Sequence, residues 1–165
     1  MKLALRLLLL AAVAGLGFWL WTVFFPSPEK VVQKEIAGLA ATATLKAGDS
    51  NLIRAAKAAN LAGLFATNAQ IILNVPDLPN RTLSGREEIQ ETALGGFANI
   101  TTLNVRFLDV TVRIGADKQT ADVDCTGEVN AGDKRDFGVQ ELHFQLKKID
   151  GNWLITLVET VKTLS

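Results

Sequence analysis

Hydrophobic and polar positions follow three different patterns along this chain of 165 residues. An uncharged run, Leu7–Phe25, comes first. Apolar residues then recur at helical spacing up to about Asn99, interrupted by one β-branched stretch, Asn68–Val75. Beyond Asn99, apolar and polar residues alternate one by one, which is the period of strands that bury one face. These patterns predict an apolar N-terminal segment followed by one α+β domain.

The helical part predicts three amphipathic helices. The first covers about residues 28 to 46, and the second covers about residues 51 to 66. The third follows Ser84, which lies three residues before Glu87 as in a capping box, where each side chain bonds the other residue's backbone amide. Acidic residues also favour a helix N-terminus. The charged cluster Arg86-Glu87-Glu88 is therefore interpreted as a helix start rather than as a catalytic site.

The alternating part predicts four long strands. The parity of the alternation shifts at Leu108-Asp109, which indicates a β-bulge, and Asp150-Gly151 is a tight-turn signal between two strands. Long period-2 runs joined by turns favour a strongly curved, antiparallel meander. We expect the helices to cover one face of this sheet and to leave a conical hollow. The predicted strands are TTLNVRFLDVTVRIG (101–115), QTADVDCTGEV (119–129), DFGVQELHFQLKKI (136–149) and NWLITLVETVKTL (152–164).

The N-terminal segment, residues 1–26, has the length of a membrane span. A helix over the 19 uncharged residues Leu7–Phe25 would rise about 28 Å, close to the ~30 Å hydrocarbon core of a bilayer. The small residues of Ala12-Val13-Ala14 also resemble a signal-peptide cleavage site, so the segment is either a retained anchor or a secretory signal. The apolar run continues past that site and ends in aromatic residues, which favours the anchor.

The orientation of the anchor follows from the charges that flank it. Lys2 and Arg6 precede the apolar run, and positive charges mark the cytoplasmic side. The N-terminus is therefore expected in the cytoplasm. Residues 27–165 are expected outside the cytoplasmic membrane, in the periplasm if the source is bacterial, with the bilayer as partner of residues 7–25.

Composition excludes several classes of function. Without Lys2 and Arg6, 15 basic and 17 acidic residues remain interspersed, so no basic stripe for nucleic acid exists. The single cysteine, Cys125, cannot form an intrachain disulfide, and its alternation with Ala121 and Val123 predicts a buried, unreactive thiol. We find no zinc-type Cys/His cluster, EF-hand loop or phosphate-binding G-x-x-x-x-G-K-[ST] motif, so neither a metal nor a cofactor is expected.

Four stretches of the chain resemble the nuclear transport factor 2-like family, also called SnoaL-like or cystatin-like α+β cone. The resemblance covers about Glu29 to Leu164 and implies three N-terminal helices packed on a strongly curved, mostly antiparallel sheet. It also implies a homodimer through the sheets. The family includes isomerases, dehydratases, cyclases, scaffolds and non-enzymatic binding or assembly modules. The stretches are AANLAGLFATNAQIIL, LSGREEI, VRFLDVTVRIGADKQTADVDC and LHFQLKKIDGNWLITLVET.

Enzymes of this family carry acid, base or oxyanion donors inside the cone, whereas the polar candidates here fall on the other strand face. The chain has no tyrosine, and its one histidine, His143, alternates with Leu142 and Phe144. Asp124 and Glu128 likewise lie opposite the apolar positions of their strand. We therefore expect His143 at the surface, outside the cone, and assign no catalytic residue.

Lys57 and Asn60 are the polar residues most suited to point inward. On a helical projection they lie with Ile53 and Leu64 on the apolar side of the second helix. If that side faces the hollow, the amine and the amide could orient an anionic or carbonyl-bearing ligand. Alternatively the helix is rotated, or the Lys57 amine reaches the rim along its aliphatic stem.

Two functions remain open. The first is a membrane-tethered, extracytoplasmic, non-catalytic module that binds a small apolar ligand or assembles with an envelope protein. The alternative is a lyase or isomerase acting on a small apolar carbonyl compound in the cone, with Lys57 as electrophile or base. An open hollow with convergent polar groups favours binding or catalysis, and a hollow plugged by Phe and Leu side chains favours a scaffold.

Overall fold

The structure is a computed structural model that describes Gly15 and residues 27–74, 79–132 and 137–161. Apart from Gly15, the predicted anchor Leu7–Phe25 lies outside these residues. Within the described ranges, no helix is both long and apolar enough to cross a bilayer. The anchor therefore stays a prediction.

Three helices precede most of the strands, as predicted. They are α1 (Pro28–Ala43), α2 (Asn51–Gly63) and α3 (Arg86–Asn99). Helix α2 begins where the Ser50 hydroxyl accepts a hydrogen bond from the Ile53 backbone amide, the usual N-cap arrangement. It ends three residues earlier than predicted, because the chain is already extended from Phe65 onward.

The strands form one mixed sheet with the order β2-β1-β6-β5-β4-β3. Strands β1 and β6 pair in parallel, and the other described pairings are antiparallel. This α+β arrangement is consistent with the cone fold. The sequence pattern missed β2, because four residues that follow Pro76 and Pro79 carry too little alternation. The strands are β1 (Phe65–Leu73), β2 (Arg81–Ser84), β3 (Leu103–Ile114), β4 (Thr120–Ala131), β5 (Phe137–Ile149) and β6 (Asn152–Thr160).

The start of α3 differs from the predicted capping box by one residue. Ser84 belongs to β2, and Gly85 occupies the N-cap with a φ of 90°, a conformation that glycine adopts without a steric penalty. Glu88, rather than Glu87, accepts the hydrogen bond from the Ser84 backbone amide, at 2.7 Å. Arg86 donates two hydrogen bonds to the Phe65 carbonyl. The charged cluster thus begins a helix and ties it to β1.

The centre of the hollow is filled by apolar side chains. Helix α1 buries Val32 and Ile36 against the sheet, and the Phe144 ring meets Phe107 edge to face with 5.5 Å between ring centroids. Aromatic pairs prefer this geometry. Phe144 is 1% exposed and Leu146 is also buried. The middle of the cone therefore holds a packed core rather than an open pocket.

The predicted bulge and turn are both confirmed. The register between β3 and β4 shifts between Leu108 and Thr111, and Asp109 has a φ of 52°. Asp150 and Gly151 both have positive φ between β5 and β6, as a two-residue primed turn requires. The bulge interrupts β3, which is one of the two edge strands of the sheet.

Candidate functional site

A cavity of about 400 Å³ lies between α1 and β3. Its α1 wall consists of Gln33, Ile36, Ala37 and Ala40, and its β3 wall consists of residues 105–108 and Val110. We call it the α1–β3 cavity. Its size is within the range of small-molecule sites, and its lining is mostly apolar as in such sites.

The α1–β3 cavity exists because two alanines stand where larger side chains would fill the space. Gln33, Ala37 and Ala40 recur at intervals of four and three residues, so they share one side of α1. This stripe is displaced by one residue from the core stripe that contains Val32 and Ile36. The small alanine side chains leave a gap toward β3, and Ile36 of the core stripe forms its inner wall.

The residues after α1 are hydrogen-bonded to the edge of β3. Leu45 and Leu103 exchange two backbone hydrogen bonds, of 2.7 and 3.1 Å. The Thr44 hydroxyl accepts from the Val105 backbone amide at 3.3 Å and donates to the Ala40 carbonyl at 2.9 Å. The chain just after α1 is therefore hydrogen-bonded to β3 beside the residues that line the cavity.

The core beside the cavity contains no spare polar group. Throughout the described ranges, every buried side-chain nitrogen or oxygen has a hydrogen-bond partner. Thr160, a buried polar residue, accepts from the Asn74 backbone amide at 2.8 Å. In the same ranges, no group of three His, Cys, Asp or Glu side chains could hold a metal ion.

A charged cluster occupies the opposite face of the sheet. His143 Nδ1 lies 2.7 Å from an Asp124 oxygen, and its Nε2 lies 3.5 Å from Asp122. Arg113 pairs with the other Asp124 oxygen at 2.5 Å. The hydrogen bond with His143, and then the Arg113 contacts, hold the pKa of Asp124 below its usual value. His143 lies on the outer face as predicted, but its side chain is only 17% exposed.

A sequence match to a protein family covers most of the helices and strands described above. The SnoaL-like domain family matches residues 49–158, which is two thirds of the chain. The chain belongs to this family. The match begins before α2 and ends within β6, so it contains α2, α3 and strands β1 to β5.

Solved structures resemble this SnoaL-like domain over most of its length. An NTF2-like protein with a cystatin-like fold from Novosphingobium aromaticivorans is 18% identical, with a TM-score of 0.63 over 96% of this chain and 86% of that chain. A candidate aromatic ring hydroxylase from the same organism is 16% identical, with a TM-score of 0.64 over 83% and 90%. A candidate scytalone dehydratase, also from that organism, is 16% identical, with a TM-score of 0.59 over 82% and 83%.

These likenesses establish the fold and leave the activity open, since the identities are low. No curated protein matches the sequence of this SnoaL-like domain.

The structure places Lys57 and Asn60 away from the α1–β3 cavity. Lys57 Nζ lies 2.7 Å from Asp49 Oδ2 and 2.8 Å from the Thr44 carbonyl, so it links α2 to the loop after α1. Hydrogen bonds from the Lys46 amide, and then from Lys57, lower the pKa of Asp49. Asn60 is exposed. Neither residue lines the cavity, and their ligand-binding role stays a prediction.

Cys125 is buried, as predicted. Its side chain lies in the core, 6% exposed. Burial, and then the negative charge of Asp124, raise the pKa of the thiol to about 12. A thiol with so high a pKa is protonated at neutral pH and is a poor nucleophile, so Cys125 has a packing role in this SnoaL-like domain.

Sequence reasoning missed the residues that form the α1–β3 cavity. The sequence prediction chose the amine and amide groups of α2, whereas the cavity depends on the small side chains of Ala37 and Ala40 in α1. The available signal was their spacing from Gln33, which places a polar group and two small residues on one helix face. That signal is weak without knowledge of what lies opposite the helix.

Proposed function

We propose that this SnoaL-like domain is a membrane-tethered, extracytoplasmic, non-catalytic binding module that takes a small apolar ligand in the α1–β3 cavity. The observation that carries the proposal is the cavity itself, about 400 Å³ with mostly apolar walls. The centre of the cone is filled by Phe144 and its neighbours, which taken alone favours a scaffold. Ligand binding is proposed because a separate open space lies between α1 and β3, at the edge of the sheet.

The lining of the cavity supports binding rather than catalysis. Its polar side chains are Gln33 and Arg106, and the Arg106 guanidinium forms an ion pair with Glu128 at 2.7 Å. Proton-transfer catalysis needs a titratable acid or base within hydrogen-bond reach of the substrate. The enzyme alternative assigned that role to Lys57, whose amine is engaged by Asp49 and Thr44 instead.

The proposed tether is supported by the sequence before α1. Leu7–Phe25 is long enough and apolar enough to span a bilayer as a helix. The protein should therefore stay with the membrane fraction after alkaline extraction, and N-terminal sequencing of the membrane-bound product should begin at Met1. A mature product that begins near Gly15 would contradict the retained anchor.

The ligand proposal can be tested with an apolar fluorescent probe, N-phenyl-1-naphthylamine, and full-length protein in lipid nanodiscs. Ala40→Leu adds a branched side chain inside the cavity, and we expect it to raise the probe's Kd about tenfold or more. Ala41→Leu is the matched control, because the neighbouring Ala41 is exposed. Partition of the probe into lipid is the same for both variants, so it cancels in the comparison.

The Kd values of the two variants decide whether the probe binds in the α1–β3 cavity. A higher Kd for Ala40→Leu, with an unchanged Kd for Ala41→Leu, supports ligand binding in the α1–β3 cavity. Equal fluorescence titrations for the wild type and both variants would overturn the proposed function. Thermal unfolding of each variant shows whether the added side chain has disturbed the fold.

A further inference from the structure

Strand β3 lies at the edge of the sheet, so alternate residues direct their backbone groups away from β4. The two backbone bonds between Leu103 and Leu45 show that Leu103 faces this outer edge. By alternation, the backbone groups of Val105 and Phe107 face the same way, whereas those of Arg106 and Leu108 face β4. The bond between the Val105 amide and the Thr44 hydroxyl agrees with this assignment.

Hydrogen bonding along the outer edge stops before Phe107. Leu103 is fully paired, and the Val105 amide is bound by Thr44. Because Phe107 faces the outer edge, its N–H and C=O point away from β4, and Phe107 lines the α1–β3 cavity. In the described part of the chain, neither group bonds to a residue outside the strands. Backbone groups that lose contact with water need a partner. A ligand that removes these two groups from water therefore has to satisfy this donor and this acceptor.

Between the chain after α1 and the bulge, the regular part of the edge holds one outward-facing residue, Phe107. Thr44 and Leu45 cover β3 on one side of Phe107, and the bulge after Leu108 changes the direction of the backbone groups on the other side. An extended peptide that adds a strand needs several consecutive free residues. A small molecule that pairs with one residue fits this edge, whereas a peptide strand does not.

We propose that the ligand of the α1–β3 cavity is an apolar N-acylated α-amino carbonyl compound that pairs with the backbone of Phe107. In a hydrogen-bonded antiparallel pair, two residues exchange both N–H···O=C bonds, and in each residue the N–H and C=O flank one carbon. A ligand with the same spacing donates to the Phe107 C=O and accepts from the Phe107 N–H. Its apolar groups then contact Ile36, Ala37 and Ala40.

This inference rests on the proposed function, because it assigns a chemical class to the ligand of the same cavity. The Gln33 amide, at the α1 wall, offers a further hydrogen-bond partner to the acyl group. The cavity volume of about 400 Å³ accommodates a compound with one aromatic ring and one acyl group, at the lower end of the range for small-molecule sites.

The test compares two probes that differ in one group. N-acetyl-L-phenylalanine ethyl ester carries the N–H, and ethyl 2-acetoxy-3-phenylpropanoate of the same configuration has an ester oxygen in its place. We expect the second probe to bind about tenfold more weakly, since the Phe107 carbonyl loses its donor. In ¹H–¹⁵N spectra of the full chain in nanodiscs, the Phe107 amide proton should move downfield on addition of the first probe, and Ala40→Leu should abolish both effects.

The outcomes separate the inference from the function on which it rests. Equal affinity of the two probes, or an unmoved Phe107 amide proton, would overturn the assigned ligand class while N-phenyl-1-naphthylamine still reports a functional cavity. If N-phenyl-1-naphthylamine also binds the wild type and Ala40→Leu equally, the proposed function fails as well. The Arg113 amide, which pairs with β4 beyond the bulge, should not move in any titration.

Discussion

Truncation of Phe144 offers a direct test of whether the centre of the cone is packed solid. The ring is 1% exposed, lies opposite Val123 and Val158 on the neighbouring strands, and meets Phe107 edge to face. Removal of a buried aromatic ring typically costs about 3–5 kcal/mol, because transfer energy is lost and a cavity remains. Of this, about 0.5–1.5 kcal/mol belongs to the ring pair.

We therefore expect Phe144→Ala to lower the free energy of unfolding by about 3–5 kcal/mol. Domains of this kind are stable by about 5–15 kcal/mol, so the variant should remain folded in the absence of denaturant. Urea unfolding followed by far-UV circular dichroism measures the change, and the slope m should stay constant. The matched control is Val139→Ala on the same strand, where the side chain is 60% exposed, and its effect should stay within about 0.5 kcal/mol.

The loss of unfolding free energy in Phe144→Ala shows whether the ring fills the hollow. If Phe144→Ala costs less than about 1 kcal/mol, the ring does not fill the hollow, because so small a value is typical of surface positions. The centre of the cone could then hold a ligand, and the reason for placing the ligand site in the α1–β3 cavity would be lost. A loss in the expected range, together with a Phe107→Ala loss that is not additive with it, would confirm that the two rings share one packed core.

Two further predictions concern Arg54 and Cys125. The Arg54 guanidinium donates to the carbonyls of Phe97, Ile100 and Thr101 at the end of α3. Arg54→Met should therefore lower the free energy of unfolding, measured in urea, by about 2–3 kcal/mol. Equal stability of Arg54→Met and of Arg81→Met, the control at an exposed site, would contradict this. The pKa of the Cys125 thiol is raised from 9.0 to about 12 in the folded protein. The unfolded chain therefore loses the thiol proton at lower pH than the folded protein does. The stability that comes from this difference is fully present below pH 9 and is lost as the pH rises toward 12. Cys125→Ala should lack that part of the pH dependence, and parallel stability curves for the wild type and Cys125→Ala above pH 9 would refute the assignment.

The extent to which the fold was predictable differs between its elements. The long strands β3 to β6 and the bulge after Leu108 follow from alternation, because a half-buried strand imposes its period on every residue. The start of α3 was predicted one residue early, since a positive φ at Gly85 cannot be read from a capping motif. Strand β2 was missed because pairing with β1, rather than its own four residues, makes it a strand.

The candidate site was less predictable than the fold. Lys57 and Asn60 were chosen from a projection of α2, which gives the relative angles of side chains but not the rotation of the helix against the sheet. Ile53, which shares their side, is 45% exposed, so that side does not face the core throughout. The α1–β3 cavity depends on tertiary placement: the two alanines of α1 create space only because β3 lies opposite them.

The position of the cavity also follows from a general problem of open sheets. An edge strand exposes unpaired backbone groups, and proteins cover such edges with helices, loops or bulges. Here Thr44 and Leu45 cover the first part of β3, and the bulge after Leu108 disrupts the next part. Phe107, which lines the cavity, remains between these two devices with its backbone groups facing the outer edge. A ligand that pairs with one residue therefore completes the protection of the edge, whereas a larger side chain at Ala37 or Ala40 would fill the space without satisfying the backbone.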